Sequence, residues 1–323
     1  MTKAIRIHAT GGPEVLKWED VPKPEPGPGE ILLRQEAIGL NYIDVYFRTG
    51  LYKLPSLPAI IGQEGAGIVE AVGTEVTGLL PGDRVSYAGS LGAYTTHRVL
   101  PADRAIKLPP DIDARVAAAI TLQGLTAHYL INRTHPVKPG ETILVHAAAG
   151  GVGQLLCQWA NHLGATVIGV VSTEAKAEIA RRNGAKYTVV GTKTLAAEVK
   201  KITGGEMVPV VFDSIGRDTF LPSLDCLAPL GLMVSYGNAS GPVPPFELSL
   251  LSAKGSLFIT RPTLATYIAK KPILDRMAAD LFQAVRDGVL HPNISHTYPL
   301  ADAALAHAAL EGRQTTGQVL LLP

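Results

Sequence analysis

Three glycines, Gly150, Gly151 and Gly153, stand between an uncharged apolar run, Thr142 to Ala147, and a stretch in which Val152, Leu155, Leu156, Trp159, Ala160 and Leu163 recur at helical spacing. The run reads as a buried strand, and the stretch as one apolar helix face ended by Gly164. At such a junction, exposed backbone N–H groups and the positive end of the helix dipole favour a phosphate. Glycine is needed there because a side chain would block close approach of a pyrophosphate, or of the helix to the sheet. Glycines also serve ordinary turns, but here strand, loop, helix and a second strand, Thr166 to Val171, all have the lengths of a dinucleotide-binding unit. Gly150, Gly151, Val152 and Gly153 are therefore expected to hold a cofactor pyrophosphate.

In such a unit the end of the second strand reads the adenosine ribose. An acidic residue accepts the 2′-hydroxyl of NAD, whereas basic groups accommodate the 2′-phosphate of NADP. The segment here is Ser172-Thr173-Glu174-Ala175-Lys176. Ser172 and Thr173 can donate to phosphate oxygens, and Lys176 lies in the first turn of the next helix. Glu174 could serve instead as the ribose carboxylate, so this segment favours NADPH without excluding NADH.

The elements that must position these residues fall into two groups. Up to about Leu122 the chain is rich in turns, with short strand-like runs at Ile31 to Leu33, Ile68 to Val72 and Arg84 to Tyr87, and few helices are expected. After Pro109-Pro110, Asp111 or Asp113 can cap a helix through Val116, Ala117, Ile120 and Leu122. Strands then alternate with helices, which implies a parallel sheet covered on both faces. Val208 to Phe212, Leu232 to Tyr236 and Ser256 to Ile259 continue the strands. A helix from about Leu274 to Asp287 leads to a terminal strand, Gln318 to Leu322, that is expected to return to the first domain.

At 323 residues, two domains are the default. A charged fraction of 18% against 46% hydrophobic is ordinary for a chain that folds by burial. The net charge of +1 gives no reason to expect nucleic acid or an anionic membrane as main partner. Two cysteines, Cys157 and Cys226, build no disulfide framework, and no signal-peptide pattern follows Met1, so a cytoplasmic location is expected. The uncharged stretch from Thr142 to Thr173 is broken by Gly150, Gly151, Gly153 and Gly164 and carries histidine, asparagine and glutamine, which makes it buried core rather than a membrane span.

The run Gly140-Glu141-Thr142-Ile143-Leu144-Val145-His146-Ala147-Ala148-Ala149-Gly150-Gly151-Val152-Gly153, with Gln158 following, resembles the signature of the quinone oxidoreductases related to zeta-crystallin, in the medium-chain dehydrogenase/reductase superfamily. The resemblance extends to Gly11-Gly12-Pro13-Glu14-Val15-Leu16, Asn41-Tyr42-Ile43-Asp44, Pro81-Gly82-Asp83-Arg84-Val85, Asp213-Ser214-Ile215-Gly216, Tyr236-Gly237-Asn238 and Thr260-Arg261-Pro262. It implies an α/β chain with a doubly wound Rossmann sheet, residues 125–261, and a GroES-like β-rich catalytic domain from residues 1–124 and 262–323. It also implies a homodimer. By the same resemblance Asn41, Tyr42, Tyr46 and Tyr129 would lie near the nicotinamide half. Ser172, Lys176 and Arg313 would hold the 2′-phosphate, and Tyr236, Gly237, Asn238, Phe258, Thr260 and Arg261 would line the cleft. Gly191 departs from the pattern, since close relatives carry a tyrosine there.

Zinc-dependent cousins need thiolate and imidazole ligands in a tetrahedral site. Asn41 stands at the position of their first cysteine and Gln63, in Gly62-Gln63-Glu64, at that of their histidine, so no metal is expected. The resemblance then implies hydride transfer from NADPH to a quinone, whose carbonyls are already electrophilic, with Asn41, Tyr46, Tyr52 or Arg261 hydrogen-bonding the oxygen on which charge develops. Two other readings stand beside it. One is reduction of a polarised carbon–carbon double bond, as in 2-alkenal or enoyl reductases. The other is a non-enzymatic, cofactor-retaining protein that binds RNA or serves a structural role, against which the lack of a basic, aromatic-rich stripe counts.

Overall fold

Short apolar runs separated by glycine and proline turns become strands throughout the chain, and the stretches with a helical period become the helices between them. The computed structural model describes all residues, Met1–Pro323. Its strands are β1 (Thr2–Ile7), β2 (Lys17–Val21), β3 (Glu30–Leu40), β4 (Ala59–Ile60), β5 (Glu64–Val72), β6 (Arg84–Ala88), β7 (His97–Pro101), β8 (Ile106–Lys107), β9 (Thr142–His146), β10 (Thr166–Val171), β11 (Ala185–Val190), β12 (Val208–Asp213), β13 (Leu227–Ser235), β14 (Phe258–Thr260), β15 (Ile294–Pro299) and β16 (Gln318–Leu322). The helices are α1 (Tyr42–Thr49), α2 (Ala114–Tyr129), α3 (Gly151–His162), α4 (Glu174–Arg182), α5 (Leu195–Ile202), α6 (Phe220–Leu224), α7 (Ser249–Ala253), α8 (Leu264–Tyr267), α9 (Lys271–Arg286) and α10 (Ala303–Glu311).

The chain divides into two units. The first comprises Met1–Leu125, Ile268–Gln283 and Pro292–Pro323; the second comprises Thr126–Tyr267 and Ala284–His291. The crossings thus fall at residues 125 and 267, and the short return of 284–291 to the second unit has no counterpart in the sequence expectation.

In the first unit a sheet ordered β15-β16-β3-β5-β6-β8, with β7 also on β3, lies with a smaller sheet ordered β2-β1-β4. β3 is its spine, running antiparallel to β5 from Ile31 opposite Val72 to Ile38 opposite Gly65. Ile31, Leu33, Ile38 and Leu40 of β3 sit in one buried cluster with Val69, Val85, Tyr87, Tyr94, Val319 and Leu321. The C-terminal strand β16 pairs antiparallel with β3, so both chain ends build this unit. α1 is the helix that the turn-rich reading did not foresee. Two of its eight residues, Asp44 and Arg48, are charged and buried, so its inner face does not read as an apolar helix face in the sequence.

The second unit is one six-stranded, all-parallel sheet ordered β11-β10-β9-β12-β13-β14. Numbered from β9 this is the order 3-2-1-4-5-6 of a doubly wound nucleotide-binding sheet. Its central strands β9, β10 and β12 are buried on both faces, as Ile143, Leu144, Val145, Val167, Ile168, Val210, Val211 and Phe212 all are, which is why they read as continuous apolar runs. The order reverses between β9 and β12. In open parallel sheets ligands bind outside the carboxyl ends of the strands at that point. No helix of the chain is long and apolar enough to cross a membrane.

Candidate active site

At the carboxyl end of β9, Ala147 takes a left-handed conformation (φ 51°), and Gly150 then serves as N-cap of α3. Gly150 brings no capping side chain to the helix. A Cβ on Gly153 would sit 2.1 Å from the carbonyl oxygen of Ala147 and 2.8 Å from Ala148 Cα. Only glycine there lets α3 descend onto the β9 loop. A Cβ on Gly169 of β10 would likewise press on Ala148 at 2.9 Å. The loop is thus packed from below by backbone and small side chains. Ala148 N and Gly150 N donate to Val170 O and Ala147 O, and the N-terminus of α3, with its helix dipole, is the polar feature that fits a pyrophosphate.

At the end of β10, Thr173 caps α4, its Oγ1 accepting from Lys176 N at 3.3 Å. Ser172 is exposed and Lys176 half-buried in the first turn. The Glu174 carboxylate is taken by Arg181 at 2.8 Å, and Arg181 also bonds Glu178. Glu174 is therefore held by a cation rather than presented alone to a ribose. Gly191 follows β11 at φ 77° with open space around it.

Beyond the switch point, two loops are laced together. Asp213, at the end of β12, accepts from Ile215 N at 2.7 Å, Gly216 N at 3.3 Å and Thr219 Oγ1 at 2.7 Å. The loop after β13 answers: Ala239 N and Ser240 N donate to the carbonyls of Ser214 and Ile215. A Cβ on Gly237 would lie 2.3 Å from Ser214 O, so glycine lets the loops meet. Arg261 donates to Ser235 O at 3.0 Å, and with the Asn238 amide turned it also reaches Asn238 at 3.2 Å. Tyr236, Gly237, Asn238 and Arg261 are thus one assembly at the ends of β13 and β14. Thr260 closes β14 opposite Val234, whereas Phe258 at its start is 60% exposed. Tyr129 is buried and stacks on Tyr267 with ring centroids 4.2 Å apart.

In the first unit the predicted aromatic residues come together. Tyr42 and Tyr46 of α1 lie 5.6 Å apart, Tyr46 and Tyr52 5.2 Å, and Phe47 and Tyr52 5.6 Å between ring centroids. Tyr52 N donates to Tyr46 O at 3.0 Å, which folds the turn after Gly50 back onto the helix. Arg313, in a left-handed conformation after α10, belongs to this unit; burial, with the Glu311 charge, pushes the Tyr42 hydroxyl up, and the Arg313 charge works against that shift.

Asn41 is the N-cap of α1 and is held twice over. Its backbone N–H donates to Asp44 Oδ2 at 3.0 Å, and Tyr94 O–H donates to the same oxygen at 3.0 Å. The Tyr94 oxygen in turn meets His307 Nε2 at 2.9 Å, and His307 Nδ1 faces Arg48 at 3.2 Å. Arg48 is buried and paired to Glu311 at 2.7 Å. Because Arg48 can only donate, His307 carries its proton on Nε2 and passes the series on toward Asp44. Burial, and then the Arg48 charge, hold His307 down at about 3; burial pushes Asp44 up to about 7. The Asn41 side chain makes a second set. Its Nδ2 donates to Glu64 Oε2 at 2.6 Å, and its Oδ1 accepts from Gln123 Nε2 at 3.1 Å. Asn41 is only 5% exposed.

Two family profiles match the chain: the alcohol dehydrogenase GroES-like domain over residues 27–110 and the zinc-binding dehydrogenase over residues 151–270. A quinone oxidoreductase of Pseudomonas aeruginosa is 51% identical over 325 residues, covering all of both chains. The chain belongs to the quinone oxidoreductase family of the medium-chain dehydrogenases/reductases. A 2-haloacrylate reductase of Burkholderia is 47% identical, covering 100% of this chain and 99% of its own. The structure of Escherichia coli quinone oxidoreductase complexed with NADPH matches with a TM-score of 0.97 at 46% identity, covering 99% of this chain and 100% of that one.

Within this quinone oxidoreductase fold the two positions that differ from the zinc cousins, Asn41 and Gln63, are both buried. No group of three or more His, Cys, Asp or Glu side chains is arranged to hold a metal ion. What surrounds Asn41 instead is carboxylate and amide: Glu64, Gln123 and, behind it, Gln318. In the sequence Glu64 stands only within Gly62-Gln63-Glu64, and Gln123 and Gln318 belong to no motif. Their one sequence signal is a polar residue inside an otherwise apolar helix or strand, as Gln123 is in α2 and Gln318 in β16.

Proposed function

We propose that this protein is an NADPH-dependent quinone oxidoreductase that passes a hydride to a quinone without using a metal. The observation that carries the reading is the glycine-cradled N-terminus of α3 at the switch point of a 3-2-1-4-5-6 sheet, in a chain with the fold of a quinone oxidoreductase complexed with NADPH. When bound, the cofactor supplies the hydride; the protein supplies position and polar groups. Gly150, Gly151, Val152 and Gly153 would hold the pyrophosphate, and Ser172, Lys176 and Arg313 the 2′-phosphate. Tyr236, Gly237, Asn238, Thr260 and Tyr129 would bound the nicotinamide half, with Tyr42 also assigned to the cofactor; Phe258, exposed at the amino end of β14, is left outside it.

For the substrate, Tyr46 and Tyr52 offer an aromatic edge suited to a flat ring, with hydroxyls to meet a developing oxyanion, and Asn41 and Arg261 are the further donors. The protein would work as a homodimer in the cytoplasm. A second reading rests on the 2-haloacrylate reductase at 47% identity over the full chain. Reduction of a polarised carbon–carbon double bond needs the same hydride and a proton at the α-carbon.

Steady-state turnover of a small benzoquinone and of an α,β-unsaturated acid or ketone, each with NADPH, separates the two. The expected outcome is a kcat/KM for the quinone that exceeds that for the alkene by about a hundredfold or more, near 3 kcal/mol in barrier. A preference for the alkene would give the chain the second activity.

A further inference from the structure

Behind Asn41 three side-chain amides stand in series, each accepting from the one before it and donating to the next. Asn293 N donates to Gln318 Oε1 at 2.7 Å, Gln318 Nε2 to Gln123 Oε1 at 3.2 Å, Gln123 Nε2 to Asn41 Oδ1 at 3.1 Å, and Asn41 Nδ2 to Glu64 Oε2 at 2.6 Å. The other oxygen of Glu64 accepts from Leu122 N at 2.6 Å. Gln318 is 1% exposed, Gln123 7% and Glu64 0%, so water does not substitute for any member. The place of the carboxylate is built into the backbone: a Cβ on Gly39 would lie 2.3 Å from Glu64 Oε2.

The direction of the series is forced at both ends. A backbone N–H can only donate, so Gln318 must turn its oxygen to Asn293. Once ionised, above its raised value of about 8, the Glu64 carboxylate can only accept, so Asn41 must then turn its amino group to Glu64. Between those ends there is one satisfied arrangement, and reversing any single amide would leave donor against donor or acceptor against acceptor, at the cost of a buried unsatisfied group.

We infer that Glu64, Gln123 and Gln318 are positioning residues for the reduction, which fix the direction of the Asn41 amide and with it the atom that Asn41 can turn toward a substrate. The assignment of Asn41 to the substrate side rests on the function proposed above. In this arrangement the Asn41 oxygen is committed to Gln123, and the amino group alone has a hydrogen beyond the one given to Glu64; its further contact, to Gly39 O, is long at 3.4 Å. Asn41 is thereby a donor, suited to an oxygen that gains negative charge.

The inference is tested by moving the charge from one end of the series to the other. In Glu64→Gln, the new amide must set a donor against Leu122 N or against Asn41. In Gln318→Glu, the new carboxylate faces the Gln123 oxygen. The double variant Glu64→Gln/Gln318→Glu restores donor-to-acceptor pairing along the series, with all intervening amides reversed and Asn41 turned to offer its oxygen. Burial pushes the Glu64 carboxyl up to about 8, with Asp44 adding to the shift, so measurements are made at about pH 9, where it is ionised.

Each single variant should melt several degrees below wild type, and the double variant should recover most of that loss. Its kcat for a benzoquinone at saturating NADPH should nevertheless stay at least about tenfold down, because one donor to the developing oxyanion has become an acceptor. Its Kd for NADPH, read by fluorescence titration, should stay within about twofold. A double variant that recovers kcat together with Tm would overturn the inference, since the direction of Asn41 would then not matter. Single variants that melt like wild type would overturn it as well, because no directed series would exist. A wild type that reduces no quinone shows the failure of the functional reading before any variant is made, and the melting temperatures then decide the series by themselves.

Discussion

Lys176 owes its position to Thr173, whose hydroxyl caps α4 and sets the first turn in which the lysine stands half-buried. The competing residue, Glu174, is neutralised by Arg181, so the ribose end carries a free-standing acidic charge less than the sequence segment alone implies. A charge-assisted hydrogen bond to a phosphate contributes about 1.5 to 3 kcal/mol, which is roughly ten- to hundredfold in affinity. Lys176→Ala should therefore weaken NADPH binding by about that factor and leave NADH within about threefold. Isothermal titration with both cofactors checks it, and equal losses for the two would move the phosphate site elsewhere. Arg181→Ala, by releasing Glu174, should lower the preference for NADPH by a few-fold.

At the scale of elements, α1 and α10 are joined to Tyr94 by the buried series of Arg48, His307, Tyr94 and Asp44, and its titration is coupled to folding. The folded-state value of His307, about 3, lies below its ordinary 6.5. The native state therefore binds fewer protons than the unfolded chain between those values, and the stability it contributes is complete above about 6.5 and lost as the pH falls. Asp44 and Glu64, raised by burial to about 7 and about 8, have the opposite sign: they favour the native state at low pH and oppose it as the pH rises toward those values. His307→Gln keeps an acceptor for Arg48 and a donor for Tyr94 while removing the titration. As the pH falls from about 6.5 to about 4.5, the Tm of this variant relative to wild type should rise by several degrees, on the order of 1 to 3 kcal/mol. Parallel melting curves for the two proteins across that range would assign the acid sensitivity to another group.

For the whole molecule the open question is assembly. β14 pairs with β13 alone and leaves its other edge unpaired, and Phe258 on it is 60% exposed. Leu230, 66% exposed, and Leu248, 75% exposed, belong to the same unit. An unpaired edge beside exposed apolar side chains is an association liability unless a partner covers it. Two-fold pairing of β14 with a second copy would satisfy its backbone and cover the phenylalanine. Light scattering at micromolar concentration should give about twice the 34.0 kDa of one chain, and Phe258→Lys should shift the mass toward the monomer. A wild-type monomer would leave the edge without that role.

Local pattern determined much of this protein. The β9, glycine loop, α3 and β10 unit was legible because a strand buried on both faces is a continuous apolar run and a helix face has its own period, both visible in a few consecutive residues. β16 at Gln318–Leu322 and the strand character of Val208–Asp213 were legible for the same reason. The shorter α1 was not, since its buried face carries the charged Asp44 and Arg48, and its eight residues lie in a turn-rich stretch. Nor was the surrounding of Asn41. Glu64 is 23 residues from Asn41, Gln123 is 82 and Gln318 lies 195 beyond Gln123, and each looks like an isolated polar residue until β3, β5, α2 and β16 are packed together. Only the tertiary structure decides that these amides meet, and burial then decides their direction: every buried donor must find an acceptor, and the ionised Glu64 carboxylate at one end settles the sense of the whole series.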